Sequence, residues 1–401
     1  EEKDENSVDT GVVWFETEAE AKALINKLSL EGVVSSFKGK RKETYAPHFF
    51  KMTTLQDAMS KFGYTTDEVA AYGQSLYESG YITYNRSTCE YVDSSENFSA
   101  YLDAVSSVKE LSPFLAQVTP ESIKRVYGSE KWVNNKEVKE SGHTAIIPTS
   151  KAPNLDSLSK GERDVYLTVA KQFVAAFLPP LVQDVVDVVV TVDGENTFKS
   201  SGKTLVSPGY TEIFGRNFTD VTLPALKEGD VLQISEYDVS AKTTTCPKRY
   251  TASDLMKVCE NPLKFLEDEE IKAELKRLGV KFKIGTPATL STQYKTGIID
   301  LMISRDKWLE VKKEGKRNVL YPTDKGMQID ANLAAIDYPL RKIDVTGTWE
   351  VSIEEIIRGN MTYEQFMAST EKDILTMLDL IKNADMSQVK FNEEKKAQIV
   401  S

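Results

Sequence analysis

The chain has 401 residues, and we expect several domains because single hydrophobic cores stop growing at roughly 250–300 residues. Hydrophobic residues make up 40% of the sequence, and no apolar run approaches the roughly 20 residues of a membrane span, so a soluble protein is expected. The formal net charge of −11 argues against a uniformly basic nucleic-acid binder, although basic residues can still be collected on one face.

The start of the chain and its cysteines favour a protein of the reducing cytosol. The opening residues EEKDENS lack the basic start and the apolar centre of a secretory signal. Cys89, Cys246 and Cys259 lie far apart and form no CxxC motif, so neither a disulfide framework nor a zinc site is predicted. Two basic clusters, in residues 38–42 and 312–317, are each more typical of a solvated loop than of a phosphate-binding track.

The first predicted elements are a short strand over residues 12–15, a helix and a second strand. Thr17 and Glu20 form a capping box at the start of the helix, and Gly32 follows its end. The apolar run over residues 33–37 then predicts the second strand, which leads into the first basic cluster.

Two further helices are predicted next, over residues 54–62 and from Thr65 to Gly80. Glu68 completes a capping box with Thr65, and Gly80 supplies the stop. The helical spacing predicts that Tyr77 lies on the buried side of the second of these helices.

A long helix and two strands are predicted in the middle of the chain. Ser159 and Glu162 form a capping box at the start of the helix, which prolines 179–180 break. The valine-rich residues 182–192 and the residues 197–206 predict adjacent strands that an Asp-Gly turn joins.

After Pro247 the pattern is helical again and ends in a hairpin. Apolar spacing predicts a helix around Leu255, another over residues 271–278 and one further continuous helix over residues 288–303. Residues 308–321 predict a β-hairpin. Helices followed by a hairpin suggest a winged-helix-like unit, which often docks on DNA and elsewhere only packs.

Several catalytic motifs are absent from the sequence. There is no GxxxxGK[ST] loop for ATP phosphates, no HExxH and no GxSxG, and His48 and His143 are the only histidines. Metal chemistry that depends on histidine ligands is excluded on these grounds. An unrelated hydrolase has little support, because no carboxylate pair or triad stands at recognisable spacing.

The segment GYITYNRST, residues 80–88, places Tyr84 and Arg86 on one short extended stretch. Residues two apart in an extended chain share a side, so both side chains can face one ligand. A phenol, with an ordinary pKa of about 10, attacks phosphorus only when its oxyanion is stabilised. A neighbouring guanidinium can do this and can also bind a phosphate. The alternative interpretation is an aromatic side chain that packs at a strand end.

Three other segments carry polar groups that suit nucleic acid. SGHTAIIPT, residues 141–149, sets His143 before an apolar run, and imidazole near a phosphodiester can donate a hydrogen bond or stabilise charge. PKRYTASDL (247–255) and IGTPATL (284–290) combine hydroxyls with backbone amides at predicted helix starts, which is one way to hold phosphate, and the first adds Arg249. A structural histidine and ordinary helix caps are the alternatives.

These four segments occur together in one order, and in that order they resemble the type IA DNA topoisomerases, especially the topoisomerase III branch. Further similar segments are TTLQDAMSKFGYT, QSLYESG, YPTDKG and GTWEVSIEEIIRGNMTYEQF. The resemblance covers nearly the whole chain.

The resemblance implies a role for individual residues. It implies that Tyr84 is the nucleophile, that Arg86 assists it and that His143 lies beside the scissile phosphate. The residues that it implies as contacts to single-stranded DNA are Arg249, Thr251, Ser253, Thr286 and Thr289.

The chain also departs from the family pattern. Ser87 and Thr88 stand where the family usually has Thr-Asp, Ala252 replaces a common glutamate, and Leu290 replaces an arginine or tyrosine. No DxD cluster of a Toprim domain is found, so the chain is expected to begin inside the arch and to hold no metal ligand of its own. Mg²⁺ is the cofactor that the resemblance implies for the intact enzyme.

The implied fold is a multidomain α+β arch that closes a ring. Residues 1–47 and 179–245 are expected to form the two parts of a split β-rich domain. Residues 48–178 are expected to form a helical domain that carries the tyrosine. Residues 246–401 are expected to form a mainly helical, winged-helix-like domain that binds single-stranded DNA.

The implied activity is a change of DNA topology without ATP. Tyr84 would attack a phosphodiester of single-stranded DNA and keep the 5′ phosphate as a phosphotyrosine while another strand passes, after which the break reseals. The implied partner is DNA, mainly single-stranded, and the protein is expected to be a cytoplasmic monomer without a membrane partner. The alternative is a non-catalytic single-stranded DNA-binding or assembly module derived from the same fold.

Overall fold

The computed structural model describes residues 13–384 except 244, 293 and 316. The chain divides into two units, Glu1–Ala46 with Leu178–Pro247 and Pro47–Phe177 with Lys248–Ser401. The first is named here the sheet unit and the second the helical unit. The finer division into four domains stays a prediction.

The sheet unit contains a four-stranded antiparallel sheet in the order β3-β2-β1-β4. Its elements are α1 (Glu18–Ile25), β1 (Glu31–Thr44), β2 (Leu181–Val192), β3 (Asn196–Ser207) and β4 (Val231–Gln233). The capping box of Thr17 and Glu20 opens α1, as predicted. The strand predicted over residues 12–15 is wrong, because residues 13–15 pair with no other strand, and Val12 lies outside the described residues. Asp193 and Gly194 have φ angles of 52° and 76°, and these left-handed conformations form the predicted turn between β2 and β3.

The register of the sheet fixes the face on which each side chain lies, because successive residues of a strand point to opposite faces. Lys40 of β1 lies opposite Val185 of β2, which lies opposite Lys203 of β3. The buried valines are on the other face: Val34, Val188 and Val192.

The first part of the helical unit, residues 47–177, is built from helices. They are α2 (Met52–Ser60), α3 (Thr66–Glu78), α4 (Phe98–Val105), α5 (Ser112–Leu115), α6 (Pro120–Tyr127), α7 (Asn135–Ser141) and α8 (Lys160–Ala175). Capping boxes at Thr65 and Ser159 open α3 and α8, as predicted. Helices α2, α3 and α8 pack on one another, with Leu55, Val69 and Val165 fully buried.

The second part, residues 248–384, adds more helices and a hairpin. Its elements are α9 (Ala252–Glu260), α10 (Glu269–Leu278), α11 (Pro287–Leu290), α12 (Ile298–Ser304), β5 (Leu309–Glu314), β6 (Arg317–Pro322), α13 (Asp324–Ala335), α14 (Asp344–Ile357) and α15 (Tyr363–Lys382). Short 3₁₀ turns over both units are Lys109–Leu111, Leu155–Ser157, Gly209–Phe214, Pro262–Phe265 and Pro339–Arg341.

The predicted hairpin is confirmed as β5 and β6, and it gains a third short partner. Thr251 bridges Val319, and the amide of Leu320 donates to the carbonyl of Tyr250 at 2.7 Å. Helices α9, α11 and α12 pack on one another through Met256, Leu290 and Ile299, and α9 and α12 also contact the hairpin. This arrangement of helices and hairpin matches the winged-helix-like unit expected from the sequence.

The single helix predicted over residues 288–303 is wrong. Helix α11 ends at Leu290, and α12 begins at Ile298. Between them the Asp300 carboxylate accepts hydrogen bonds from the amides of Thr292 at 2.7 Å and Gly297 at 3.2 Å. These bonds fix a turn, and the φ of 56° at Lys295 is incompatible with a continuous helix.

Polar contacts join the two parts of the helical unit. The buried carboxylate of Glu260 forms an ion pair with Lys51 at 3.1 Å. It also accepts a hydrogen bond from the hydroxyl of Thr53 at 2.9 Å. The other contacts are Asp57–Lys257 at 2.8 Å, Asp67–Lys295 at 3.5 Å, Thr66–Ser291 at 2.9 Å, Glu137–Lys281 at 2.9 Å and Glu140–Lys281 at 3.0 Å. This set of contacts is named the polar seam.

Candidate functional site

The segment that carries Tyr84 is paired with the segment that follows His143. The amide of Thr83 donates to the carbonyl of Ile147 at 3.0 Å. The hydroxyl of Thr83 donates to the carbonyl of Ala145 at 2.6 Å and accepts from the amide of Ile147 at 2.9 Å. This pairing brings together two motifs that are far apart in sequence.

The Tyr84 ring lies in a short row of aromatic side chains. Its centroid is 4.3 Å from that of His143, with an interplanar angle of 35°. Tyr77 meets it edge-on at 5.4 Å and 78°. Tyr84 is half-buried and His143 is exposed, so this row lies at the surface.

The residues around Arg86 alternate between buried and partly exposed. Asn85 and Ser87 are fully buried, whereas Tyr84 and Arg86 are both partly exposed. The amide of Cys89 donates to the hydroxyl of Ser87 at 3.1 Å, which anchors the loop from its inner side. Arg86 forms no ion pair within the residues that the structure describes. Its guanidinium is therefore open to an anionic ligand.

Helix α7 leads directly into His143. The helix ends at Gly142, whose φ of 73° turns the chain, and the hydroxyl of Ser141 donates to the carbonyl of His143 at 2.7 Å. Lys281 holds α7 through Glu137 and Glu140 across the polar seam. The hydrogen bond and the charge of Lys281 lower the pKa of Glu140.

A second group of predicted site residues lies at the start of α9. The hydroxyl of Thr251 donates to the carboxylate of Asp254 at 2.9 Å and accepts from its amide at 3.1 Å, so this side chain caps the helix. Ser253 is also buried, and its hydroxyl has no hydrogen-bond partner among the described residues. The guanidinium of Arg249 lies over the Tyr321 ring at 4.2 Å.

A basic pocket of about 480 Å³ adjoins this helix start. Its basic side chains are Lys248, Arg249, Lys257, Lys264 and Arg317. Asp254 also lines it and pairs with Arg317 at 2.8 Å. Burial acts to raise the pKa of Asp254, but hydrogen bonds from Thr251 and the charge of Arg317 outweigh it, and the pKa is lowered. The excess of cations suits a phosphate ligand.

Thr286 and Thr289 form a local cap at α11. The amide of Thr286 donates to the hydroxyl of Thr289 at 2.8 Å, and that hydroxyl donates to the carbonyl of Thr286 at 3.0 Å. No contact joins this pair to Tyr84 among the described residues. The roles of all the predicted site residues stay predictions.

Sequence reasoning missed several side chains at these sites. Tyr77 was expected on the buried side of α3, but it is 40% exposed and its ring faces Tyr84. Its position in the last turn before Gly80, where the chain reverses, was the available signal. Lys257 and Arg317 of the basic pocket were also missed, because a pocket formed by a helix and a hairpin has no pattern along the sequence.

The described residues do not fit a magnesium site. No group of three or more His, Cys, Asp or Glu side chains among them is arranged to hold a metal ion. No helix in the described part is both long and apolar enough to cross a membrane.

The winged-helix-like unit with its basic pocket, and the surface stack of Tyr84 on His143, point to a class of protein that acts on nucleic acid. Comparison with known families gives the same answer, because the model of the DNA topoisomerase family matches residues 2–368. The chain belongs to this family, and within it to the type IA topoisomerases.

Bacterial relatives extend this finding. The chain is 29% identical over 385 residues to DNA topoisomerase 3 of Bacillus subtilis (strain 168), covering 93% of this chain and 50% of that protein. It is 28% identical over 368 residues to DNA topoisomerase 3 of Bacillus licheniformis, covering 88% and 47%. The chain therefore spans about half the length of the curated relatives that it matches.

A solved structure confirms the predicted fold class. Full-length topoisomerase I from Thermotoga maritima is similar with a TM-score of 0.58 and 21% identity, over 93% of this chain and 56% of that one. At this identity the likeness shows the fold alone.

Proposed function

We propose that this chain is the gate and strand-cleavage region of a type IA topoisomerase, with Tyr84 as the nucleophile. The substrate at the cleavage site is single-stranded DNA, and the whole protein acts without ATP as a cytoplasmic monomer. Mg²⁺ is its proposed cofactor, with ligands outside the described residues.

The proposed step exchanges one phosphate ester for another. The phenolic oxygen of Tyr84 bonds to phosphorus and releases its proton, while the bond from phosphorus to the 3′ oxygen breaks and that oxygen takes up a proton. The 5′ phosphate stays on Tyr84, and the reverse reaction reseals the strand. Because an ester replaces an ester, bond energy is kept and no ATP is needed.

Arg86 and His143 have separate tasks in this step. The guanidinium of Arg86 binds the non-bridging oxygens and stabilises the charge that develops on them. His143 holds the Tyr84 ring by stacking and presents a donor beside the phosphate. The observation that carries the proposal is the stacking of Tyr84 on His143 at 4.3 Å, two residues before Arg86, which has no ion-pair partner among the described residues.

Covalent trapping on a labelled single-stranded oligonucleotide tests the nucleophile. The chain is incubated with the oligonucleotide, Mg²⁺ and a Toprim domain supplied in trans, and then denatured. We expect an adduct through the 5′ phosphate that Tyr84→Phe abolishes without loss of oligonucleotide binding. Tyr77→Phe is the matched control and should keep the adduct. An adduct that survives Tyr84→Phe refutes the assignment.

The non-catalytic DNA-binding module is the weaker candidate, and membership of the topoisomerase family does not favour it. Relaxation of negatively supercoiled plasmid separates the two. Relaxation that appears when the Toprim domain is added supports the enzyme. Persistent lack of relaxation, with oligonucleotide binding and fold intact, supports the module.

A further inference from the structure

One face of the sheet β1–β2–β3 carries an excess of lysines. These side chains, named here the lysine face, are Lys38, Lys40, Lys42, Lys199 and Lys203. We propose that the lysine face binds the phosphate backbone of duplex DNA, apart from the single strand cleaved at Tyr84. The choice of nucleic acid as the partner rests on the proposed function.

The register places these lysines together. Lys38, Lys40 and Lys42 alternate along β1 and therefore share a face. Lys40 and Lys203 both lie in the cross-strand row of Val185, and directly opposite residues also share a face. A side-chain contact supports this assignment, because the hydroxyl of Ser201 donates to Asp187 at 2.6 Å in the neighbouring row.

Four of the five lysines have no acidic partner among the described residues. Lys38, Lys40, Lys42 and Lys203 are exposed and form no ion pair within the described part of the chain. The acidic residues that β1, β2 and β3 present on this side are Asp187 and, at the far end of β1, Glu31, which accepts a hydrogen bond from Gln233 at 3.2 Å. On the opposite face, Arg41 pairs with Asp184 at 2.9 Å. The same strand thus carries a satisfied cation on one side and a row of unsatisfied ones on the other.

The composition of the face favours a duplex over a single strand. Proteins that hold single strands without sequence preference usually stack bases on aromatic side chains. The strand residues on the lysine face include no aromatic ring, since Phe37 and Phe198 point to the opposite side. A face that carries lysines and no aromatic ring contacts phosphates, and phosphate contacts hold a duplex without recognising its bases.

The dimensions fit several phosphates at once. Residues two apart on a strand are separated by about 6.8 Å, so Lys38 to Lys42 span about 14 Å. Lys40 and Lys203 are two strand spacings apart, which is about 10 Å. A duplex carries one charge per about 1.7 Å of its axis, so a 14 Å length presents about eight phosphates.

Salt-dependent binding of a blunt duplex tests the proposal. The test variant of the full chain is Lys38→Gln/Lys40→Gln/Lys42→Gln/Lys203→Gln. Arg41→Gln removes a charge from the same strand on the opposite face. The charge-matched control is Lys109→Gln/Lys160→Gln/Lys276→Gln/Lys382→Gln, at exposed positions on helices of the other unit. Circular dichroism and melting temperature verify that all variants are folded.

We expect the dependence of log Kd on log salt to become less steep by about 0.9 for each lysine that contacts a phosphate. Arg41→Gln and the charge-matched control should keep the slope of the unmodified chain. An unchanged slope in the test variant refutes the proposal. An equal loss in the charge-matched control also refutes it, because the effect would then follow net charge.

Other ligands serve as alternative outcomes. If the test variant loses binding to a single-stranded oligonucleotide but not to the duplex, the assignment to duplex is wrong. If the test variant loses binding only to phosphatidylserine vesicles, the lysine face binds a membrane surface and the proposal fails. Tyr84→Phe should leave the duplex slope intact, so the lysine face and the cleavage site succeed or fail separately.

Discussion

Thr83 fixes the position of the residue that follows it. Its hydroxyl both donates to Ala145 and accepts from Ile147, at 2.6 and 2.9 Å. Thr83→Val leaves these backbone groups without a partner, at a cost of about 1–3 kcal/mol. We expect slower adduct formation and unchanged oligonucleotide binding. Thr83→Ser keeps the hydroxyl and should keep the rate, and an equal loss in both variants would assign the effect to the methyl group instead.

Arg86 is predicted to matter for rate and not for stability. Because it forms no ion pair among the described residues, Arg86→Gln should change the free energy of unfolding by less than about 0.5 kcal/mol. Single-turnover cleavage should fall by roughly 10²-fold or more, since a charge-stabilising donor is lost. The cleavage rate of Arg86→Lys should lie between the rates of Arg86→Gln and of the unmodified chain, because lysine keeps the charge without the bidentate geometry. Cleavage by Arg86→Gln at the unmodified rate would exclude the proposed role.

At the level of single residues, the sequence was informative where chemistry is local. The burial of Asn85 and Ser87 between partly exposed neighbours agrees with the predicted alternation, but Asn85 and Arg86 lie in a turn and not in the extended stretch that was predicted. The outward position of Tyr77 did not follow, because helical spacing alone does not say which part of a helix end a neighbouring loop covers.

Helix α7 is the element that connects the polar seam to His143. Lys281→Gln removes the cation that holds Glu137 and Glu140, and we expect slower cleavage with normal oligonucleotide binding. Lys276→Gln, on exposed α10 surface, is the control. A rate equal to that of the unmodified chain would show that α7 does not need this tether.

The same tether has a defined dependence on pH. Because the pKa of Glu140 is lowered in the folded chain, the stabilisation of the fold by the Glu140 carboxylate is fully present above its ordinary pKa of 4.5. The contribution is lost as the pH falls through the lowered value. Acid unfolding of Glu140→Gln should therefore show less loss of stability in this range than the unmodified chain, and equal curves would contradict the assignment.

At the level of elements, capping boxes were the dependable signal. Those at Thr65 and Ser159 act within four residues and needed no tertiary information. The prediction of one helix over residues 288–303 failed because the Asp300 carboxylate accepts hydrogen bonds from the amides of Thr292 and Gly297. The basic cluster of residues 38–42 was interpreted as a solvated loop but lies in β1, because strand register cannot be predicted from a basic cluster alone.

For the whole molecule, the Lys51–Glu260 pair is the most protected ion pair of the polar seam, with side-chain exposures of 23% and 8%. Lys51→Met leaves a buried carboxylate without its cation and should lower the free energy of unfolding by about 3–5 kcal/mol. Lys51→Met/Glu260→Met should recover most of this loss. Denaturant titration measures both variants, and a double variant as unstable as the single one would contradict the explanation.

The family was predictable from four ordered motifs, but the convergence of those motifs was not. Tyr84 and His143 meet because Thr83 pairs with the segment after His143, and no local pattern encodes that pairing. The pocket of Lys257 and Arg317 depends in the same way on the packing of α9 against the hairpin.

The exposed ion pairs of the polar seam make part of its strength depend on the salt concentration. Dissolved ions screen exposed pairs such as Asp67–Lys295 and Glu137–Lys281, so these pairs contribute little at high ionic strength. The Lys51–Glu260 pair and the Thr66–Ser291 hydrogen bond are largely buried, and buried contacts are screened much less. Added salt should therefore weaken the exposed contacts of the seam and leave its buried contacts in place.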